Sequence, residues 1–281
     1  MRNIIILSIV IFSSFIFFSH CKNQEKKAKG SILKMETSMG DMTIKLYDET
    51  PKHKENFLKL AKEGYFNGML FHRVIKDFMI QAGDPDSKIA KKGQALGSGG
   101  PGYTIEAEFN TNLFHKKGAL SAARTGDQMN PEKRSSGSQF YIVQGKKYTE
   151  EELSNMEERF KMEQLMPFFR EYIQNPENES ISNQIQEKKN ARDREGLDSL
   201  IKVVSDIVSK EHPDVKVKLF TDEQRELYKT VGGTPHLDGA YTVFGEILEG
   251  MEILDKIATV STGKGDRPIE DIRIISISVV K

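Results

Sequence analysis

Residues 71–84, FHRVIKDFMIQAGD, decide the fold. Read as two short strands, residues 71–75 and 78–82, the stretch alternates apolar and polar positions with period two and is bounded by turn residues. That alternation sets Arg73 and Gln81 as polar groups on a mostly hydrophobic face. An arginine there has an ordinary reading, with its stem lying along a sheet rim and its charge in water. What weighs against that ordinary reading lies downstream. Residues 138–143, SQFYIV, read as another strand of like chemistry, with a glutamine at its start and aromatics after it.

Outward from this segment, residues 32–37 and 42–47 alternate around Met39, Gly40 and Asp41, a hairpin signal. A helix follows, with Thr50 as its cap, Pro51 in its first turn, Phe57, Leu60 and Ala61 as its apolar stripe and Gly64 at its end. Residues 251–258 read as a second helix and residues 272–280 as a closing strand. Many strands, two helices and glycine-rich turns predict a mainly β fold, a closed antiparallel barrel that removes exposed strand edges.

Between residues 148 and 231 the character changes to a helical insertion. Thr149 and Glu152 form a capping box, and Leu153, Met156, Phe160, Leu165, Phe169 and Tyr172 follow at helical spacing, with Pro167 set to kink or divide the helix. A second run carries Ile185, Leu197, Leu200, Ile201, Val204 and Ile207. Thr221 with Gln224 caps a third, and residues 175–180 read as a loop. The dense Glu and Lys content reads as a solvated face, while the apolar stripes need partners in each other or on the barrel flank.

Taken in order, FHRVI, FMIQAGD, GSGGPGYTIEAEF, GALSAAR, SGSQFYI and LDGAYTVFGEILEGMEILDKI resemble the motif series of the cyclophilin family of peptidyl-prolyl isomerases. The resemblance runs from residue 31 to about residue 147 and from about residue 232 to the end. It implies an eight-stranded barrel with a helix at each end, interrupted by the insertion, acting on proline-containing polypeptides. It further implies Arg73 as the catalytic donor with Gln81 holding it, and Phe78, Met79, Tyr141 and Leu237 as the proline pocket. Ala123, the main chain of Arg124 and Gln139 would bind peptide on either side. Singly, each apolar residue in this set also reads as ordinary barrel core.

The chemistry asked of such a site is modest. An X-Pro bond rotates over a barrier of about 18–20 kcal/mol because its C–N bond has partial double-bond character. At the twisted transition state the conjugation is lost and the prolyl nitrogen carries a localised lone pair, so a donor aimed at it helps only there. No nucleophile, metal or proton transfer is needed, and His53, His72, His115, His212 and His236 show no ligand spacing. Gly97, Gly99 and Gly102 spell G-x-G-x-x-G, but no helix follows and Pro101 lies inside, which weakens a dinucleotide reading. No cofactor is expected.

Three positions depart from the family's best-known pattern. Arg124 stands where many members have asparagine, His236 where eukaryotic members have tryptophan, and Tyr241 where they have histidine. His236 predicts weak cyclosporin binding, because the tryptophan contributes to that contact in the family. Tyr241 retains an aromatic wall.

The start of the chain carries a separate message. Arg2 and the apolar run 4–18 have the form of an export signal, residues 1–20, and Cys21 follows directly as in a bacterial lipoprotein signal. Lipidation of Cys21 would tether the protein by residues 21–30 to a membrane of the cell envelope, on the periplasmic or outer-surface side. An uncleaved anchor is the alternative, and His20 is an unusual residue before such a cysteine. The formal net charge of +0 over 281 residues gives no sign of a nucleic-acid partner. Two functions compete: an isomerase for exported proteins, and a peptide-binding, chaperone-like module that works through the insertion with little catalysis.

Overall fold

The computed structural model of the chain describes residues 31–215 and 219–280. The signal-like stretch 1–20, Cys21 and the tether to residue 30 lie outside the described residues. Strands β1 (Ser31–Thr37) and β2 (Gly40–Leu46) form the expected hairpin, Leu33 opposite Ile44 and Met35 opposite Met42. Period-two alternation buries these four and Leu46, and leaves Lys34, Thr43 and Lys45 partly exposed. Gly40 turns the chain at φ 133°, where a Cβ would stand 2.4 Å from the Ile253 side chain.

Helix α1 (Pro51–Lys62) buries His53, Phe57, Leu60 and Ala61. Thr50 precedes it, but its hydroxyl makes no capping bond and is buried without a partner. The Glu108 carboxylate caps instead, accepting from the amides of Lys52 (3.1 Å) and His53 (3.0 Å). An anion at a helix N-terminus is favoured by the free amides and the helix dipole, and this one arrives from a distant loop that local sequence does not reveal.

The deciding stretch folds as β3 (Arg73–Ile75) and β4 (Met79–Ala82), a hairpin shorter at each start than the sequence suggests, with Arg73 opposite Gln81. Then come β5 (Thr104–Ile105), β6 (Ala119–Ala122), β7 (Ser135–Ser136) and β8 (Phe140–Val143).

The insertion holds α2 (Glu150–Gln174), α3 (Glu179–Ala191), α4 (Arg194–Glu211) and α5 (Asp222–Thr230). Both expected capping boxes form, at Thr149 and at Thr221. Pro167 neither ends nor divides α2: it and Glu163, whose carbonyl loses its donor, both lie exposed, so water can satisfy that carbonyl. The second apolar run is two helices rather than one, because Arg192 turns the chain with φ 54°. Residues 175–180 are a short 3-10 turn and the first turn of α3, not a loop. Near the sheet, Leu153 and Met156 of α2 pack with Phe220 and Tyr228. At the far end Leu165 and Phe169 pack with Ile185, Val204 and Val208.

Strand β9 (Val243–Glu249), helix α6 (Met251–Ala258) and strand β10 (Ile274–Val279) complete the chain. The main sheet is antiparallel throughout, in the order β10-β1-β2-β9-β6-β8-β4-β3, while β5 and β7 pair separately. The expected closed barrel is not what these ladders make. The sheet curls into a half-barrel whose edge strands, β3 and β10, share no ladder. The segment before β3 instead runs beside the start of β10, at the bridge of Leu70 with Arg273 and through Gly68 N–H to Ile274 C=O (2.8 Å), Ile274 N–H to Met69 C=O (2.8 Å) and Phe71 N–H to Ile272 C=O (2.9 Å). Gly68, at φ 80°, opens that paired segment five residues before β3 begins. The core between sheet and helices is capped by Phe57, Phe66 and Phe140, whose centroids lie 4.8–5.6 Å apart.

Candidate active site

One cavity of about 510 Å³ gathers most of the residues singled out in the sequence. The β3–β4 hairpin supplies Arg73, Met79 and Gln81, and its turn supplies Phe78. The end of β6 brings Ala123 and Arg124, and β8 brings Tyr141. Leu237 and Tyr241 come from the turn at Pro235–Leu237 and the segment after it. Met79 and Tyr141 are buried and form an apolar floor. Gln139 lies in the adjoining cleft, about 780 Å³, which shares Gln81, Gly97, Ala123 and Arg124 with the first. His236 stands outside the cavity and stacks on Phe78, rings 5.7 Å apart and 23° from parallel.

Arg73 sits at the edge of this apolar space with its side chain 42% exposed. Its Nε donates to Asp266 at 3.3 Å, and its two terminal nitrogens have no protein partner among the described residues. The brace is therefore Asp266 rather than Gln81. Gln81 faces Arg73 across the ladder but gives its amide to Gln139 Oε1 at 3.0 Å. The reason lies one link further on: Gln139 donates to the carbonyls of Gly97 (2.9 Å) and Gly99 (2.7 Å), so its own oxygen is left to accept. The amides of Gly97 and Gly99 in turn point at the fully buried carboxylate of Asp84, at 2.5 and 3.3 Å. Amides spent on Asp84 cannot cradle a phosphate, which disposes of the G-x-G-x-x-G reading.

Arg124 is committed within the protein. Its Nε donates to the Ala240 carbonyl (2.9 Å), one terminal nitrogen donates to Thr125 O (3.0 Å) and Asp127 (2.6 Å), and the guanidinium lies 4.4 Å over the Tyr241 ring. The same cation holds the Asp127 carboxyl below its ordinary range. The backbone N–H and C=O of Arg124 have no protein partner among the described residues, so that edge is open to an extended chain. Arg267, also at the cavity, spends its guanidinium on the carbonyls of Lys91 and Gln94 and on Asp271.

Sequence spacing missed three buried histidines. His72 borders the cavity with neither ring nitrogen in good hydrogen-bond geometry to a partner among the described residues, and burial pushes its pKa down to about 4. His115 lies 2.9 Å from Asp238 through Nδ1 and 3.0 Å from the Tyr141 hydroxyl through Nε2. His53 bridges Glu108 (2.7 Å) and the Ser135 hydroxyl (2.9 Å), the outline of a nucleophilic triad. Ser135 is buried, however, and the cavity beside His53 measures about 10 Å³, so that array ties α1 to β7 and admits no substrate. The Asp238 partnership was signalled only by an acidic residue next to the pocket leucine, Leu237-Asp238.

The fold agrees with what known proteins show. The family described as cyclophilin-type peptidyl-prolyl cis-trans isomerase matches residues 32–160 and 214–279. A Staphylococcus saprophyticus protein named as a peptidyl-prolyl cis-trans isomerase is 35% identical over 251 residues, 88% of this chain and 90% of its own. A Streptococcus pyogenes protein, named as a bifunctional phosphatase and peptidyl-prolyl cis-trans isomerase, is 33% identical over 89% of this chain, which spans 39% of that protein. Among solved structures, a Cryptosporidium parvum cyclophilin-type isomerase superposes with a TM-score of 0.52 at 20% identity, covering 90% of this chain and 98% of its own, a likeness of fold. The chain belongs to the cyclophilin-type peptidyl-prolyl cis-trans isomerases.

Proposed function

We propose that this enzyme accelerates X-Pro isomerisation in the folding of exported polypeptides, with Arg73 stabilising the twisted amide. The observation that carries the reading is the state of Arg73: of the guanidinium groups at the cavity, those of Arg124 and Arg267 are tied to protein carbonyls, while the terminal nitrogens of Arg73 have no partner among the described residues. A proline ring seated over Met79 and Tyr141 brings its nitrogen toward those donors, and the open backbone of Arg124 holds the flanking chain extended. In the planar ground state the nitrogen lone pair is delocalised and accepts poorly. In the twisted state it is localised, so the charged donor favours the transition state selectively. Asp266 fixes the guanidinium through Nε and leaves the far end of the fork free.

A protease-coupled assay on an Ala-Pro peptide tests this. The wild type is active, and Arg73→Ala lowers kcat/KM by about 10²–10³-fold with an unchanged melting temperature. A folded wild type without activity refutes the reading. The chaperone-like alternative has less in its support, because the apolar stripes of α2, α3 and α4 are buried against one another. Weak cyclosporin binding follows from His236, and nanomolar inhibition would refute it. Export and lipid attachment rest on Arg2, the apolar run 4–18 and Cys21. The mass of the mature N-terminus decides them.

A further inference from the structure

The last helix of the insertion reaches the pocket wall through an unbroken chain of hydrogen bonds. Tyr228 of α5 is fully buried, and its hydroxyl donates to Asp238 Oδ2 at 2.6 Å. Asp238 Oδ1 accepts from the His115 backbone N–H (2.8 Å) and lies 2.9 Å from His115 Nδ1. A carboxylate can only accept, so Nδ1 carries a proton. The Tyr141 hydroxyl lies 3.0 Å from Nε2 on the other side of the ring. The two rings lie nearly parallel, 6.0 Å apart and 11° from coplanar orientation. Tyr241 meets both edge-on, at 82° to Tyr141 and 87° to His115.

We infer that Tyr228 is a positioning residue for the proline pocket: through Asp238 and His115 it sets the placement of the Tyr141 and Tyr241 walls. The inference rests on the isomerase reading of that cavity. Each link is a buried group whose partner is specified by donor and acceptor identity, and loss of the Tyr228 hydroxyl leaves one carboxylate oxygen short of a buried donor. Asp238 and His115 then have a reason to shift, and the aromatic walls shift with them. Tyr228 lies outside the cavity lining, so it acts only through these neighbours. A purely structural role, in which its ring fills the space among Leu153, Met156 and Phe220, makes a different prediction.

The test uses the full chain. Tyr228→Phe keeps the ring and removes the hydroxyl, and it should raise KM for an Ala-Pro peptide about three- to tenfold with kcat little changed. Phe220→Leu thins the same packing without touching the relay, and should lower the melting temperature with KM unchanged. With tyrosines labelled at 13Cζ, the Tyr141 signal should move in Tyr228→Phe. Reciprocally, Ala-Pro peptide added to the wild type should move the Tyr228 signal, because coupling between sites acts both ways. An unchanged KM in folded Tyr228→Phe, or a Tyr141 signal that stays in place, overturns the inference. If that variant does not fold, a Tyr228 signal unmoved by saturating peptide overturns it alone. An inactive wild type would defeat the isomerase reading, and the Tyr141 signal in Tyr228→Phe would still decide the relay.

Discussion

The sheet body and the far half of the insertion bury similar apolar side chains but use their polar groups in opposite ways. Around the pocket, Asp84, His115, Gln139 and Asp238 are buried and linked to one another's neighbours by specified hydrogen bonds. At the far end of α2, Leu165, Phe169, Ile185, Val204 and Val208 form an apolar cluster with no comparable network among the described residues, and Ser205 turns its hydroxyl back to the Ile201 carbonyl (2.7 Å). A linked polar network moves as a unit when one member is displaced, whereas an apolar cluster absorbs a change locally. Damage in the body should therefore cost both stability and rate, and damage in the far helices stability alone.

The largest expected effect comes from Gly83→Ala. A Cβ there, at φ 95°, would stand 2.1 Å from the Ser138 carbonyl oxygen and 2.8 Å from the Gln139 Cα. Backbone strain and displacement of β8 should lower unfolding free energy by about 4 kcal/mol, with a loss of kcat/KM of about tenfold or more. Urea denaturation and the peptide assay check the pair, and intact activity in a destabilised variant would break the contrast.

Next in size is a pH effect seated in the pocket. The pKa of His72 is lowered by burial from its ordinary 6.5 to about 4, so between those values the unfolded chain binds the proton and the folded chain resists it. The stability contributed by the neutral ring is full above about pH 6.5 and is lost as pH falls toward 4, by about 3 kcal/mol. Burial also lowers His53, against the pull of Glu108, and so acts in the same direction. Unfolding free energies at pH 7 and pH 4 should converge for His72→Asn relative to wild type, and an unaltered pH slope would sink the assignment.

The smallest effect tests the other side. Val204→Ala, at a fully buried site in α4, should destabilise the far helices by about 2 kcal/mol while kcat/KM stays at the wild-type value. A parallel fall in rate would show that the two regions are coupled after all.

What the sequence discloses follows the same division. Helix α6 matches its expected bounds, and both capping boxes form, because each is specified by residues within one or two turns. Arg73, Phe78, Met79, Tyr141 and Leu237 share a cavity, as the ordered motifs imply. The errors lie where the partner is remote. Thr50 loses the cap to Glu108, Gln81 turns to Gln139, and the edge strands β3 and β10 share no ladder. The Tyr228–Asp238–His115–Tyr141 relay joins residues that no short window contains. Pro167 leaves α2 continuous because the carbonyl it orphans is exposed, a tertiary fact that local sequence does not carry.

One feature of the backbone bears on how such a molecule can change over time. The chain leaves the sheet at Lys146 and returns at Gly233, and these two residues pair with each other, Gly233 N–H to Lys146 C=O at 3.0 Å and Lys146 N–H to Gly233 C=O at 3.3 Å. The socket is tight: a Cβ on Gly145 would stand 2.3 Å from the Gly233 oxygen, and one on Gly233 would stand 2.2 Å from the His115 oxygen. With exit and entry fastened side by side, lengthening or shortening what lies between changes closure entropy only slowly, so helices can be traded there as cargo on a fixed chassis. If Tyr228 positions the pocket as inferred, a replacement would also have to return a phenol to Asp238.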